Sequence, residues 1–137
     1  MSAETILIVD DESANRESLT TVIEAEGYHA ECAASGTQAI AAVLESPPDL
    51  ILLDVTMPGM DGYEVANVLK RNPATASIPI IMVTANAGRG ARVVGLGTGA
   101  EDYLTKPIDC AELALKVRNL LRLKSNAEHG AISSLMH

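Results

Sequence analysis

Carboxylates close two of the apolar runs in this sequence. Asp10 and Asp11 follow the β-favouring run 5–9, and Asp54 follows the aliphatic run 50–53. If both runs are parallel strands lying side by side, the three acids converge in the crevice where open α/β sheets bind ligands. Each close pair of such charges would repel by roughly 4 kcal/mol at an effective dielectric near 20, so the cluster needs a cation. Oxygen ligands with room for water favour Mg²⁺.

One carboxylate of this cluster could act as a nucleophile toward phosphorus. Mg²⁺ would hold an incoming phosphoryl group in line with Asp54 and offset its charge. Two further strand ends carry suitable groups, the Thr84 hydroxyl and the Lys106 ammonium, which could bind the remaining phosphoryl oxygens. Each residue also has an ordinary explanation, as a helix cap, a strand end or a solvated lysine. Four strand ends that all supply groups for a single reaction favour a functional site.

The elements that position these residues alternate between strand and helix. Right-handed crossovers force parallel strands with helices on both faces, so we predict a doubly wound α/β domain. Its five parallel strands take the order 2-1-3-4-5, which places the first and third strands side by side, and five helices cover the two faces. The predicted strands are 5–9, 29–34, 50–53, 79–83 and 103–105.

The last two helices differ in the clarity of their sequence signals. The fourth, within 86–99, is crowded with glycine, and each interior Gly costs a helix roughly 1 kcal/mol relative to Ala. We therefore predict that 87–97 is the least ordered part of the domain and becomes ordered on phosphorylation or partner binding. The last helix begins at the N-cap Asp109 and runs to about Lys124. This pattern predicts one domain over 4–124, followed by a tail or linker start at 125–137.

Composition excludes several classes of function. The 137 residues carry a net charge of -8, which argues against direct nucleic acid binding. No Trp or Phe is present, so aromatic platforms for bases or flavins are not expected. We see no signal peptide or membrane span. Cys32 and Cys110 have no metal-site spacing and are predicted to be buried, reduced side chains in a cytoplasmic protein.

Four motifs, in this order and spacing, resemble the receiver domain of two-component response regulators. They are Val-Asp-Asp-Glu at 9–12, Leu-Asp-Val-Thr-Met-Pro-Gly-Met-Asp-Gly at 53–62, Val-Thr-Ala at 83–85 and Asp-Tyr-Leu-Thr-Lys-Pro at 102–107. The resemblance implies that Asp54 accepts phosphate from a phosphohistidine on a sensor histidine kinase or a histidine phosphotransfer protein. It also implies that Asp11, Asp54 and the Thr56 backbone carbonyl bind Mg²⁺, with Asp10 assisting.

The same resemblance assigns a switch. It implies that the Thr84 hydroxyl moves toward the phosphate, that Tyr103 turns inward with it, and that Lys106 contacts the phosphoryl group across a cis Lys106-Pro107 bond. The switched surface would serve a downstream output domain or protein, or a homodimer formed on phosphorylation. Such a protein catalyses only its own phosphotransfer and slow self-dephosphorylation. Tyr103 could equally be a half-buried strand aromatic, and the glycine-rich 86–90 departs from the family pattern.

Three other functions are weighed against this one. A folded pseudo-receiver would bind a partner without phosphorylation, although the acid set is intact. A Mg²⁺-dependent aspartyl phosphatase of the haloacid-dehalogenase type needs a second Asp two positions after its nucleophile, and position 56 is Thr. A flavodoxin-like electron carrier needs a phosphate loop after its first strand, where Asp10 and Asp11 would repel the phosphate.

Overall fold

Five strands and four helices are seen in the described part of the chain. The structure is a computed structural model that describes residues 3–85 and 97–136, with side chains described through residue 125. Numbered in chain order, the strands are β1 Thr5–Val9, β2 His29–Ala33, β3 Leu50–Asp54, β4 Ile80–Thr84 and β5 Asp102–Thr105. The helices are α1 Ser13–Ala25, α2 Gly36–Glu45, α3 Gly62–Arg71 and α4 Cys110–Met136.

The strands form one parallel sheet in the order β2-β1-β3-β4-β5, as predicted. Val9 is paired with Leu53, Asp54 with Val83, and Thr84 with Thr105, so the carboxyl ends of the strands lie along the same edge. Every residue of β3 and β4 is buried, which explains their continuous aliphatic sequences.

Two hydrophobic clusters cover the two faces of the sheet. Because successive strand side chains point to opposite faces, alternate residues of β1 and β3 enter different clusters. One cluster joins Leu7, Val9, Ile51 and Leu53 to Ala39, Val43, Val65 and Leu69 of α2 and α3. The other joins Ile6, Ile8, Leu50 and Leu52 to Leu19 and Ile23 of α1 and to Leu113, Val117 and Leu121 of α4. Full burial of each such side chain contributes about 1.5–3 kcal/mol, so packing holds the strand ends in place.

Side-chain caps begin three of the helices. Ser35 Oγ accepts the Gln38 N–H at 3.1 Å, and Asp61 Oδ1 accepts the Glu64 N–H at 2.9 Å. The predicted N-cap Asp109 accepts the N–H groups of Ala111 and Glu112 at 2.8 and 3.1 Å. A cap of this kind is worth about 1 kcal/mol and defines where the helix begins.

Gly62 is required by a close approach of two chain segments. A Cβ at this position would lie 2.8 Å from the Val55 Cα and would also meet the Asp54 carbonyl oxygen. The Gly62 N–H donates to the Val55 carbonyl at 2.9 Å, which closes the loop that follows β3. The start of α3 is thereby held against the residue that follows Asp54.

The last helix is longer than predicted. Its backbone continues through Met136, whereas the sequence predicts an end at about Lys124. The apolar stripe that packs on the sheet stops near Leu121, but a helix needs only its own backbone hydrogen bonds to continue, and no proline interrupts 125–136. The fourth helix was predicted within 86–99 and the disorder over 87–97, and most of both ranges falls on 86–96, which lie outside the described residues.

The prediction that both cysteines are buried is wrong. Cys32 and Cys110 are exposed free thiols. Cys32 lies on the edge strand β2, where only Ala33 is buried, and Cys110 is the first residue of α4. Two aliphatic helix residues, Leu44 of α2 and Val68 of α3, are also exposed. Among the described residues, no helix is apolar enough over a sufficient length to cross a membrane.

Candidate functional site

Three acids meet at the carboxyl edge of the sheet, as the sequence predicts. Asp10, Asp11 and Asp54 each offer one carboxylate oxygen, and these oxygens lie within 4.8 Å of one another. Asp10 and Asp54 are only 2% and 4% exposed, whereas Asp11 is exposed. The neighbouring positions of β1 and β3 in the sheet create this cluster, because Val9 and Leu53 are register partners.

Asp10 is held by its surroundings at both its side chain and its backbone. Its Oδ1 accepts the Glu12 N–H at 2.9 Å, and its own N–H donates to the Ala33 carbonyl at 3.2 Å. The Arg16 Nη1 donates to the Asp10 carbonyl oxygen at 2.8 Å. Arg16 thus links the first turn of α1 to the acid cluster.

Lys106 brings an ammonium to the acids from β5. Its Nζ lies 3.4 Å from Asp54 Oδ1 and 4.0 Å from Asp10 Oδ2. The Lys106 N–H donates to the Thr84 carbonyl at 2.8 Å, and the Lys106-Pro107 bond is cis, as the resemblance implied. This single ammonium contacts two of the three acids of the cluster, so the formal charge of the cluster stays negative.

Thr56 contributes to the site through its backbone. Its N–H donates to Asp54 Oδ1 at 3.3 Å, while its side chain is exposed. This contact keeps the chain after β3 folded back toward Asp54. The metal-binding role of its carbonyl stays a prediction.

Thr84 and Tyr103 lie on the two strands beyond β3. Thr84 is the buried last residue of β4 and follows Val83, the register partner of Asp54. Tyr103 is half-buried on β5, where its ring packs against the cluster that includes α2 and α3. Thr84 therefore stands next to the acid site, and Tyr103 lies one strand further out.

Burial raises the pKa of the Asp54 carboxyl above its ordinary value, and the nearby Asp10 carboxylate raises it further. The Lys106 ammonium and the Thr56 N–H lower this pKa, but the two raising effects prevail. Ionised Asp54 is therefore an unfavourable charge in the metal-free protein. A bound cation would remove that cost.

We expect the substitution Asp54→Asn, which removes this charge, to stabilise the metal-free protein more at neutral pH than in acid. Because the folded-state pKa of Asp54 lies above its ordinary 3.8, the folded protein holds the proton more tightly than the unfolded chain. Stability should therefore fall as pH rises from 3.8 through the folded pKa. In urea unfolding experiments in EDTA, the free energy of unfolding of Asp54→Asn relative to that of the natural protein should increase from about pH 4 to about pH 7. A difference that shrinks over this range would contradict the assignment.

The donor set fits a hard divalent cation. Three carboxylate oxygens lie within 4.8 Å of one another, and the exposed Asp11 leaves one side of the cluster open to water. Mg²⁺ is usually bound by one or two carboxylates together with several waters and phosphate oxygens. Asp10, Asp11 and Asp54 could hold such an ion while leaving room for a phosphoryl group.

Two basic residues near the site were not predicted from the sequence. Arg16 lies on the first turn of the helix that follows Asp10 and Asp11, and this position is the only feature of the sequence that could have placed Arg16 near the site. Lys116 of α4 is ion-paired with Asp102 at 2.9 Å and contacts Tyr103. A single sequence carries no signal for that contact, because it joins two elements through the fold.

Comparison with known proteins points to one family. The chain matches the model of the response regulator receiver domain over residues 6–118. It is 49% identical over 119 residues to the response regulator PleD of Caulobacter vibrioides, covering 87% of this chain and 26% of PleD. It is 44% identical over 122 residues to the phosphate regulon transcriptional regulatory protein PhoB of Pseudomonas aeruginosa, covering 89% of this chain and 53% of PhoB. The chain thus spans about a quarter of one curated relative and about half of the other.

Solved structures agree with this assignment. A CheY-like response regulator receiver domain protein from Methanospirillum hungatei has a TM-score of 0.85 at 31% identity, covering 92% of this chain and 99% of that chain. The receiver domain of a signal transduction histidine kinase from Syntrophus aciditrophicus has a TM-score of 0.82 at 38% identity, covering 88% of this chain and 91% of that chain. The family match extends over most of the chain and contains all of the acid cluster. This chain therefore belongs to the response regulator receiver domain family of two-component signal transduction.

Proposed function

We propose that Asp54 accepts a phosphoryl group from a phosphohistidine in a Mg²⁺-dependent reaction, and that the phosphorylated domain presents a changed surface to a downstream partner. The observation that carries this proposal is the position of Asp54. It is a buried carboxylate at the end of β3, with Asp10 and Asp11 beside it and the Lys106 ammonium 3.4 Å from its Oδ1.

The site supplies a group for each requirement of phosphoryl transfer. An Asp54 oxygen attacks phosphorus, a new phosphorus–oxygen bond forms, and the phosphorus–nitrogen bond of the donor breaks with its electron pair passing to the imidazole. Mg²⁺, when held by Asp10, Asp11, Asp54 and the Thr56 carbonyl, supplies positive charge to the phosphoryl oxygens. Lys106 is already placed to contact a phosphoryl oxygen, because its ammonium lies beside the attacking carboxylate. Catalysis of this kind depends on position and charge rather than on proton transfer.

Thr84 and Tyr103 are the proposed switch residues, whose movement on phosphorylation changes the surface of the domain. The Lys106 N–H donates to the Thr84 carbonyl, so the phosphoryl-binding lysine and the end of β4 are joined through their backbones. Movement of the Thr84 hydroxyl toward the phosphate would vacate space that the Tyr103 ring enters. The altered surface would be read by an output domain or protein, or by a second copy of the domain.

The proposed donors are a sensor histidine kinase or a histidine phosphotransfer protein, in the cytoplasm. PhoB and MtrA are named as a transcriptional regulatory protein and a DNA-binding response regulator, but this chain matches only about half of each. We propose no direct nucleic acid contact for the receiver itself, which is supported by its net charge of -8.

Mass spectrometry after incubation with acetyl phosphate and Mg²⁺ tests the proposal. We expect a mass gain of one phosphoryl group per chain, lost when EDTA replaces Mg²⁺, because the acid cluster repels the dianionic donor without a cation. A sample with EDTA and added NaCl controls for ionic strength. If no phosphate is taken up with Mg²⁺ present, the proposed function fails and the pseudo-receiver takes its place.

An aspartyl phosphatase would behave differently in the same preparation. It would turn over small phosphomonoesters repeatedly, whereas the proposed domain catalyses only its own phosphotransfer and slow self-dephosphorylation. Position 56 is an exposed Thr, so the second Asp that protonates the leaving group in such phosphatases is missing. Multiple turnovers of p-nitrophenyl phosphate would favour the phosphatase.

A further inference from the structure

Lys116 makes a set of contacts around the edge strand that the acid site does not explain. Its Nζ donates to Asp102 Oδ1 at 2.9 Å and to the Tyr103 carbonyl at 3.1 Å, and it lies 5.3 Å from the centre of the Tyr103 ring. The Tyr103 N–H donates to the same Asp102 oxygen at 2.8 Å. Three residues are thus joined by four contacts.

The contacts reach around the edge of the sheet. α4 packs on one face, where Leu104 lies, whereas the Tyr103 ring packs with the cluster on the other face. β5 is the last strand of the sheet, so only a long side chain passing its open edge can join the helix to this ring. The Lys116 side chain does so, and it is only 24% exposed in the process.

We propose that Lys116 is a positioning residue that holds the Tyr103 ring in the orientation seen here and so sets how readily the domain switches. This inference rests on the proposed function, in which Tyr103 turns inward on phosphorylation. The ammonium interacts with the negative face of the ring, and Asp102 fixes the ammonium in place. An inward turn of the ring gives up the cation–π contact while leaving the Asp102 pair intact. Lys116 therefore favours one ring orientation over the other.

The size of the effect follows from the strength of a cation–π contact. At a partly exposed site such a contact changes an equilibrium by about threefold. Because a phosphate mimic binds the switched conformation better, removal of the contact should raise its apparent affinity by up to about threefold as well. Mg²⁺ affinity should not change, since Lys116 contacts Asp102 and Tyr103 rather than the acid cluster.

The experiment compares Lys116→Met, which keeps the long side chain without its charge, with Lys116→Arg, which keeps the cation. Lys124→Met is the matched control, because Lys124 is also 24% exposed and is paired with an aspartate, Asp49, at 3.6 Å. Lys116→Gln replaces Lys116→Met if that variant does not fold. The chain has three tyrosines and no Phe or Trp, so selective labelling of tyrosine rings gives a simple NMR spectrum.

The first measurement is the Tyr103 ring signal of the unphosphorylated protein, assigned by Tyr103→Leu. We expect Lys116→Met to move this signal toward its position in the complex with beryllofluoride and Mg²⁺. Lys116→Arg and Lys124→Met should leave it near its natural position. The second measurement is a beryllofluoride titration at saturating Mg²⁺, in which Lys116→Met should bind up to about threefold more tightly.

An unchanged Tyr103 signal in Lys116→Met would overturn the inference, as would an equal shift in Lys124→Met. Either result leaves the proposed function standing, because phosphate uptake is measured separately in the natural protein. If the natural protein takes up no phosphate but its Tyr103 signal depends on Lys116, the proposed phosphorylation is rejected. The conclusion that Lys116 orients the Tyr103 ring would still hold.

Discussion

We expect Asp54→Asn to abolish phosphate uptake from acetyl phosphate and Mg²⁺. The amide has the size and shape of the carboxylate, so the buried position at the end of β3 stays filled. It is not a nucleophile toward phosphorus, and the Lys106 ammonium lies nearer to Asp54, at 3.4 Å, than to Asp10, at 4.0 Å. We expect labelling to fall below detection in intact-protein mass spectra.

Asp61→Asn is the matched control for this variant. Asp61 lies in the loop after β3 and caps α3 through its Oδ1, and Asn caps a helix about as well as Asp. Asp61→Asn should therefore take up phosphate at the natural level. Stoichiometric phosphate on Asp54→Asn would show that the acceptor is another residue.

We expect Lys106→Ala to slow phosphate uptake while leaving Mg²⁺ affinity unchanged or higher. The ammonium lies 3.4 Å from Asp54 and 4.0 Å from Asp10, so it can neutralise charge on a phosphoryl group at Asp54. Loss of one such stabilising group costs a reaction about 10²-fold in rate. The same ammonium competes with a metal ion for the acids, so its removal does not weaken the metal site.

The two effects are measured separately. Uptake rates come from mass spectra over time, and Mg²⁺ affinity comes from calorimetry. The calorimetry is done at about pH 8, because the loss of the Lys106 ammonium, which lowers the pKa of Asp54, raises that pKa further and a higher pH favours the ionised carboxylate. Lys124→Ala removes an ion-paired lysine at the other end of the sheet and should change neither quantity. A large loss of Mg²⁺ affinity in Lys106→Ala would assign the lysine to the metal site instead of the phosphoryl group.

The amino-acid sequence alone determined the sheet and its acid cluster. The aliphatic runs that become β1, β3 and β4 are buried on both faces, so they read as strands without reference to the rest of the chain. The alternation with helices implied parallel strands, and the order 2-1-3-4-5, chosen among doubly wound orders and confirmed by the structure, brings Asp10 and Asp54 together. Lys106 followed from the same reasoning, because it ends a strand at the same edge.

Other features were decided by contacts between elements distant in sequence. Cys32 is apolar enough to suggest burial, but its strand lies at the edge of the sheet and leaves it exposed. The end of α4 was placed too early, because the apolar stripe marks where the helix packs rather than where its backbone hydrogen bonds stop. The raised pKa of Asp54 depends on how deeply β3 is covered and on the nearby Asp10.

The contacts of Lys116 are the clearest example of a feature that the local sequence pattern does not determine. In the sequence it is one lysine on an amphipathic helix, and nothing in its neighbours indicates that it crosses the edge of the sheet. Only the packing of α4 beside β5 brings its ammonium over the Tyr103 ring and next to Asp102. Periodicity determines which face of an element is buried, whereas the distance between two side chains on different elements depends on how those elements pack.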